Sequence, residues 1–149
     1  MDPIRILIAD DHPLFRNGMH GLLDSVAETT VVGETTTGEE AIAQVETLRP
    51  HMILMDIKMP GINGIEATRA ILAAHPGIKI LMVTMLEDDE LVFAAMRAGA
   101  HGYVLKGANQ AEIMRAIHAI INGEAIFGLG IARRVLRFFW LIAIVRGIV

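Results

Sequence analysis

The sequence lacks several features that define common protein classes. It contains no cysteine, which excludes disulfide bonds and thiolate metal sites. It contains no Walker or dinucleotide-binding fingerprint, and its first residues lack the basic and apolar layout of a signal peptide. The longest apolar run, Phe138 to Val145, is too short to span a bilayer. We therefore expect a cytoplasmic protein with no membrane partner.

Charge is scarce and unevenly placed along the chain. Charged residues make up 20% of the 149 residues and hydrophobic residues 53%, a balance typical of one globular domain with a sizeable core. Residues 1–124 hold 9 Lys+Arg against 17 Asp+Glu, a net charge of −8, whereas residues 125–149 hold 4 arginines and no acid. The net negative charge of residues 1–124 disfavours binding to the phosphates of nucleic acid. The four arginines of the tail are only weak support for such binding.

Apolar strand patterns and helix patterns alternate five times along the chain. Strands are predicted at about 4–9, 30–34, 52–55, 79–83 and 102–105, and helices at about 13–26, 39–48, 64–74, 89–98 and 110–121. Strict alternation with almost fully apolar strands indicates a parallel sheet that is covered on both faces. We therefore predict a flavodoxin-like, doubly wound α/β fold with strand order 2-1-3-4-5 and an extra C-terminal helical tail.

Local signals mark where several of these helices begin. A residue that favours the helix N-cap stands three positions before a Glu at Thr37, Asn63 and Asn109. Pro13 lies where the first turn of the first helix is expected, a position that tolerates proline. These signals fix the helix starts more firmly than hydrophobic periodicity alone.

Two of the predicted strands end in carboxylates. Asp10 and Asp11 follow the first strand, and Asp56 follows the third. In the order 2-1-3-4-5 these strands are neighbours at the switch point, where open α/β folds bind ligands. Three converging carboxylates repel one another, and a hard divalent cation such as Mg²⁺ relieves that repulsion. A carboxylate beside such an ion can act as a nucleophile toward a phosphoryl group.

The fourth and fifth strands end in groups that suit a phosphoryl ligand. Thr84 ends the fourth strand, and its hydroxyl can donate a hydrogen bond to a phosphoryl oxygen. Lys106 ends the fifth strand, and its ammonium can bind phosphate as a point charge. Taken singly, Asp11 is more simply a helix cap, Thr84 a loop residue and Lys106 a solvated charge. Their joint placement at one edge of the sheet favours a site.

Together these motifs resemble the receiver domain of two-component response regulators. The resemblance covers about residues 3–123, and it rests on Asp10-Asp11, the segment 56–61, Thr84, Tyr103 and Lys106. The flanking segments 9–16 and 98–106 are most similar to the NarL/FixJ subfamily. Members of that subfamily usually carry a C-terminal LuxR-type DNA-binding domain.

The resemblance implies a role for each acidic residue and for the lysine. Asp56 would accept a phosphoryl group from the phosphohistidine of a sensor histidine kinase, and Lys106 would hold that group. Asp11 would bind Mg²⁺ directly and Asp10 through water. Asp56 and the backbone carbonyl of Lys58 would complete the set of magnesium ligands.

The resemblance also implies how phosphorylation is passed on. Thr84 and Tyr103 would be the switch residues: Thr84 would move toward the phosphoryl group, and Tyr103 would turn inward behind it. The fourth helix, fifth strand and fifth helix would carry the signal to a homodimer formed through the receiver or the tail helix. The chain would then be a phosphoprotein in a phosphorelay that regulates transcription. It would be no turnover enzyme, since it catalyses only its own phosphorylation and dephosphorylation.

The C-terminal part departs from the family pattern. The resemblance leads one to expect a linker and a DNA-binding domain, whereas the sequence stops at Val149. We interpret residues 1–123 as the receiver and residues 124–149 as a linker or tail helix, with the DNA-binding output domain absent. The tail fits a linker helix docked on the receiver or on a second copy, a dimerising helix in its own right, or an interfacial membrane segment or aggregation-prone scar. Its apolar residues are spaced as on one helical face: Ile131, Val135, Phe138, Phe139 and Ile142.

Two rival interpretations stay open at this point. A haloacid-dehalogenase-type phosphatase also forms an aspartyl phosphate, but that family has a second Asp two residues after the nucleophile. Here Lys58 follows Asp56 at that spacing, and His12 follows Asp10. The other rival is a pseudo-receiver that acts only through protein contacts. The histidines show no metal-ligand spacing, and we interpret all six as surface or loop residues: His12, His20, His51, His75, His101 and His118.

Overall fold

The computed structural model describes residues 2–127, 137 and 139–147. The strands are β1 (Ile4–Ala9), β2 (Thr29–Thr35), β3 (Met52–Met55), β4 (Lys79–Thr84), β5 (Gly102–Leu105) and β6 (Ile126–Phe127). The helices that alternate with them are α1 (Pro13–Asp24), α2 (Gly38–Leu48), α3 (Gly64–Ala74), α4 (Asp89–Ala98) and α5 (Gln110–Ile121). The strands form a parallel sheet in the order β2-β1-β3-β4-β5-β6.

The predicted flavodoxin-like fold is confirmed. All five predicted strands and all five predicted helices are present, and the order of the first five strands is 2-1-3-4-5. The sixth strand was not predicted: β6 pairs in parallel with β5, with Ile126 opposite Gly102. The sheet therefore continues past residue 123 into the segment that the sequence assigns to the tail.

The predicted capping residues start their helices as expected. The side-chain oxygen of Thr37 accepts the N–H of Glu40 at 3.1 Å. Asn63 accepts the N–H of Glu66 at 2.9 Å, and Asn109 caps α5 in the same way. Each bond satisfies an N–H group that has no partner within its own helix, and such a cap stabilises a helix by about 1 kcal/mol.

Hydrophobic side chains fill two layers, one on each face of the sheet. Because successive strand residues point to opposite faces, Leu7 belongs to the layer that also contains the buried residues of α2, α3 and α4. Its neighbours Ile6 and Ile8 pack beneath α1 and α5. Residues 52–55 of β3 are buried throughout, as expected for a central strand covered on both sides. This packing leaves the carboxyl ends of the strands as the place where polar side chains gather.

A C-terminal helical segment is also present, as predicted. Residues 137 and 139–145 are helical, and five of their large apolar side chains are more than half exposed: Phe139, Trp140, Leu141, Ile144 and Val145. Three residues of the predicted apolar tail face, Ile131, Val135 and Phe138, lie outside the described residues. None of the helices in the described part of the chain has the length and hydropathy needed to cross a bilayer.

Candidate functional site

Hydrogen bonds that extend the sheet ladder bring the strand-end residues together. The N–H of Asp10 donates to Thr35 and that of Asp56 donates to Ala9, both at 2.9 Å. At the ends of β4 and β5, the N–H of Lys106 donates to the carbonyl of Thr84 at 2.9 Å. Each residue therefore sits one position past its strand with its backbone still held by a neighbouring strand. The parallel register delivers all four strand ends to one edge of the sheet.

An ion-pair network links the two buried carboxylates to the lysine. Asp10 is 2% exposed and Asp56 is 3% exposed. The Nζ atom of Lys106 lies 2.9 Å from Asp56 Oδ2 and 2.9 Å from Asp10 Oδ2. Charges that are this deeply buried require a partner of opposite sign, and one ammonium here serves two carboxylates. The structure thus brings Asp10, Asp56 and Lys106 together at the strand ends.

His12 supplies a third acceptor for the same ammonium. The Nζ atom of Lys106 lies 2.7 Å from His12 Nδ1. An ammonium is a donor only, so Nδ1 accepts this hydrogen bond and the ring proton resides on Nε2. The ammonium also lies 4.8 Å from the centre of the Phe15 ring, a cation–π distance. The three N–H bonds of Lys106 are thus matched by Asp10, Asp56 and His12.

Asp11 completes the acidic cluster. Its carboxylate is partly exposed, and its Oδ1 atom is buried without a hydrogen-bond partner among the described residues. Ligand atoms of Asp10, Asp11, His12 and Asp56 all lie within 4.8 Å of one another. Three carboxylates against one ammonium leave a formal charge of −2. That charge and the unpaired oxygen suit a hard divalent cation.

The backbone around Asp56 fixes its carboxylate. Its Oδ1 atom accepts the N–H of Ile57 at 2.8 Å, which leaves Oδ2 to face Lys106. The start of α3 passes close by, because a Cβ added to Gly64 would lie 1.9 Å from the carbonyl oxygen of Asp56. Lys58, in the loop between β3 and α3, has an exposed side chain. The nucleophile candidate is therefore held from both its side chain and its backbone.

The side chains of Thr84 and Tyr103 both hydrogen-bond to the backbone of Leu86. The N–H of Leu86 donates to Thr84 Oγ1 at 3.3 Å. The hydroxyl of Tyr103 donates to the carbonyl of Leu86 at 2.5 Å. The Tyr103 side chain is fully buried, so it already points inward. The backbone of Leu86 is thus hydrogen-bonded to both side chains.

Three further residues of this site, His12, Phe15 and Arg16, were not predicted from the sequence. His12 is an exposed loop residue, as the sequence suggested, yet its Nδ1 atom reaches the acidic cluster. Arg16 donates from a terminal guanidinium nitrogen to the carbonyl of Asp10 at 2.9 Å, and its Nε pairs with Glu34 at 3.0 Å. Phe15 carries the ring beneath Lys106. The usable signal was proximity: all three follow Asp10-Asp11 within six residues.

Comparison with known proteins now identifies the family. The family model described as the response regulator receiver domain matches residues 6–118. The chain belongs to this family. The receiver is similar to a crystal structure of a LuxR-family two-component response regulator from Aurantimonas sp. SI85-9A1. That match has a TM-score of 0.86 and 35% identity, and it covers 91% of this chain and 96% of the other chain.

Two curated relatives show how much of a longer protein this receiver matches. It is 42% identical over 131 residues to Response regulator GacA of Pseudomonas viridiflava, covering 88% of this chain and 61% of GacA. It is 38% identical over 131 residues to Response regulator UvrY of Escherichia coli strain K12, covering 88% of this chain and 60% of UvrY. The chain thus spans about three fifths of the length of these relatives.

Family membership and geometry bear on the two rival interpretations. A haloacid-dehalogenase-type phosphatase needs an acid two residues after its nucleophile, and the receiver match does not support that fold family. The residues expected of an active receiver, Asp10, Asp11, Asp56 and Lys106, form one connected cluster. This geometry favours an active receiver over a pseudo-receiver.

Proposed function

We propose that this receiver is a switch that accepts a phosphoryl group on Asp56 from a phosphohistidine of a sensor histidine kinase. One observation carries the proposal: a buried Asp56 carboxylate shares a single ammonium, Lys106, with the neighbouring Asp10. A carboxylate held this way is fixed in orientation and lies beside a cation. Both are needed by a nucleophile that attacks a negatively charged phosphoryl group.

The transfer step follows from this arrangement. A carboxylate oxygen of Asp56 forms a bond to phosphorus while the P–N bond of the phosphohistidine breaks. The electron pair of that bond returns to the kinase imidazole, which takes up a proton. Lys106 stays within reach of the new phosphoryl oxygens and offsets their charge, and Thr84 donates its hydroxyl hydrogen to one of them. Hydrolysis of the acyl phosphate returns Asp56 to its starting state.

The acidic cluster fits Mg²⁺. We assign Asp10, Asp11 and Asp56 as the side chains that hold it, with the backbone carbonyl of Lys58 as a further ligand. The unpartnered Oδ1 of Asp11 and the formal charge of −2 support this assignment. When bound, the ion supplies positive charge against the transferring phosphoryl group. Lys106 must release at least one of its two carboxylates to admit a second cation.

We assign the switch to Thr84 and Tyr103. Movement of Thr84 toward a phosphoryl group would disturb the hydrogen bond that Thr84 accepts from Leu86. The Leu86 carbonyl accepts the hydroxyl hydrogen of Tyr103, so Tyr103 would respond. Phosphorylation then biases an equilibrium between two arrangements of this connection. We propose that the face formed by α4, β5 and α5 carries this signal outward.

The partners follow from this role. We propose a cytoplasmic location for this chain, a sensor histidine kinase as phosphodonor, and a homodimer formed through the receiver or its tail helix as the output state. Residues 1–123 would carry the switch, and residues 124–149 would form a linker or tail helix. The similarity to response regulators and to a transcriptional regulatory protein supports an output in transcription regulation through a DNA-binding domain.

Substitution of the proposed acceptor tests the proposal. With Mg²⁺ and a small phosphodonor such as acetyl phosphate, wild-type protein should gain one phosphoryl group, and Asp56→Asn should gain none. Asp88→Asn is a matched control, because Asp88 is an exposed N-cap whose side chain makes no capping bond. Intact-mass spectrometry reads the result. Labelling of Asp56→Asn at the wild-type level would refute the assignment, and failure of the wild type to bind beryllofluoride with Mg²⁺ would favour a pseudo-receiver.

A further inference from the structure

The imidazole of His12 faces the centre of the acidic cluster. Its Nδ1 atom lies 3.4 Å from Asp10 Oδ1, 3.8 Å from Asp56 Oδ2 and 3.9 Å from Asp11 Oδ1. Ligand atoms that are about 2.1 Å from a shared ion lie roughly 3 to 4 Å from one another. The three distances from His12 Nδ1 therefore match those between donors around one metal ion, and the ligand atoms of the whole cluster lie within 4.8 Å of one another.

The ammonium of Lys106 shows that these donors converge on a cation. It accepts nothing and donates at once to Asp10, Asp56 and His12. Each of those atoms must direct a lone pair at one positive centre. The Nδ1 lone pair of His12 is thus oriented inward, on the side where the carboxylate oxygens also point.

We propose that His12 is a nitrogen ligand of the divalent cation in this cluster. The inference rests on the proposed metal site and deepens it, because the ligands implied by the receiver family are all oxygen atoms. A divalent ion held by these carboxylates would repel the Lys106 ammonium. The Nδ1 lone pair of His12 would then be available to bind the ion.

A nitrogen donor changes which ions the site prefers. Imidazole suits Co²⁺, Ni²⁺ and Zn²⁺, whereas a carboxylate-only set suits Mg²⁺. We expect His12→Ala to weaken Ni²⁺ or Co²⁺ binding by about tenfold or more, since loss of even an outer partner of a metal ligand typically costs about that much. Mg²⁺ binding should change less, because water readily replaces a nitrogen ligand on that ion.

Pulsed electron paramagnetic resonance of bound Mn²⁺ tests the inference directly. In the full chain, Mn²⁺ should show modulation from a coordinated imidazole nitrogen, and His12→Ala should lose it while keeping bound Mn²⁺. His118→Ala is the matched control, since His118 lines a cavity among residues such as Pro3 and Lys79 at the opposite edge of the sheet. His12 has a side chain that is 58% exposed, so its removal should leave the fold intact.

The possible results distinguish the role of His12 from the existence of the carboxylate metal site. Bound Mn²⁺ without nitrogen modulation in the wild type, or modulation that persists in His12→Ala, would overturn the role of His12 and leave the carboxylate site standing. Mn²⁺ that binds the wild type and an Asp10→Asn, Asp11→Asn double variant equally would overturn the metal site itself, and the His12 inference with it.

Discussion

Gly64 is the residue whose replacement should disturb the acceptor most directly without touching its side chain. An added Cβ would lie 1.9 Å from the carbonyl oxygen of Asp56 and 2.9 Å from Met55 Cγ. The first of these is backbone that is held in the β3–α3 connection, where Gly64 N–H bonds Ile57 at 2.8 Å. We expect Gly64→Ala to lower the free energy of unfolding by about 1–3 kcal/mol, as overpacking does, measured by urea denaturation.

The control for this prediction has the opposite expected sign. Gly18 lies within α1 and has nothing within 4 Å of an added Cβ, so it needs no special backbone conformation. Alanine there restricts the unfolded chain and favours helix, and Gly18→Ala should raise stability by about 0.5–1 kcal/mol. A Gly64→Ala protein as stable as the wild type would show that the α3 start moves freely relative to Asp56.

At the residue scale, the sequence predicted the acids well and the histidine poorly. Asp10, Asp11 and Asp56 are visible because each interrupts or follows an apolar run at a strand end. His12 carries no such mark. It is a sequence neighbour of Asp10 and Asp11, but its hydrogen bond to Lys106 joins residues 94 positions apart, which only the sheet topology brings together. Ligand-spacing rules for histidine detect residues that are close in sequence. The contact between His12 and Lys106 joins residues that are distant in sequence, so such rules do not detect it.

At the element scale, α1 and β2 are tied by a polar network beside the acidic cluster. His20 on α1 binds Glu34 of β2 through Nδ1 at 2.9 Å and Asp24 through Nε2 at 3.0 Å. Arg16 shares Glu34 and holds the carbonyl of Asp10. The hydrogen bond to Glu34, aided by the nearby charge of Asp24, raises the pKa of His20 above its ordinary value of 6.5, although partial burial opposes this.

This raised pKa gives a pH-dependent stability. Because folding favours protonated His20, its contribution is fully present below a pH of about 6.5 and is lost as pH rises through the folded-state pKa. We expect the stability gap between wild type and His20→Gln to be larger near pH 6 than near pH 8.5, by a small amount since the ring is partly exposed. Urea midpoints at both pH values measure it. A gap that is unchanged between them, or equally pH-dependent in a Glu34→Gln background, would contradict this origin.

Element boundaries show where prediction from sequence stops working. Capping residues such as Asn63 and Asn109 placed the helix starts correctly, since their side chains bond the backbone locally. The strand β6 could not be predicted, because its two residues are too few for a periodic pattern. It exists through pairing with β5, whose Gly102 leaves no room for a side chain: an added Cβ would lie 2.5 Å from the carbonyl of Ile126. The pairing of β6 with β5 depends on contacts between residues distant in sequence, which local patterns do not show.

At the scale of the whole molecule, the acidic cluster sits within a body that is itself acidic. Residues 1–124 carry a net charge of −8, and the cluster contributes a formal −2 from groups that cannot separate without unfolding. Folding therefore concentrates negative charge that the unfolded chain spreads out. A cation that binds only the folded cluster offsets this electrostatic repulsion. The free energy of unfolding of the entire domain should therefore rise when this one site is occupied.

We accordingly expect Mg²⁺ to stabilise the receiver against heat. At a Mg²⁺ concentration of about 100 times the Kd, binding to the folded state alone adds about 2.7 kcal/mol, or roughly 5–10 °C in Tm for a domain of this size. Asp11→Asn should lose most of this shift, since it removes the carboxylate whose Oδ1 has no partner in the described structure. NaCl at matched ionic strength separates binding from screening, which acts on every surface charge. If NaCl raised Tm as much as Mg²⁺ did, or if Asp11→Asn kept the full shift, the gain would come from general charge screening and the cluster would hold no specific ion.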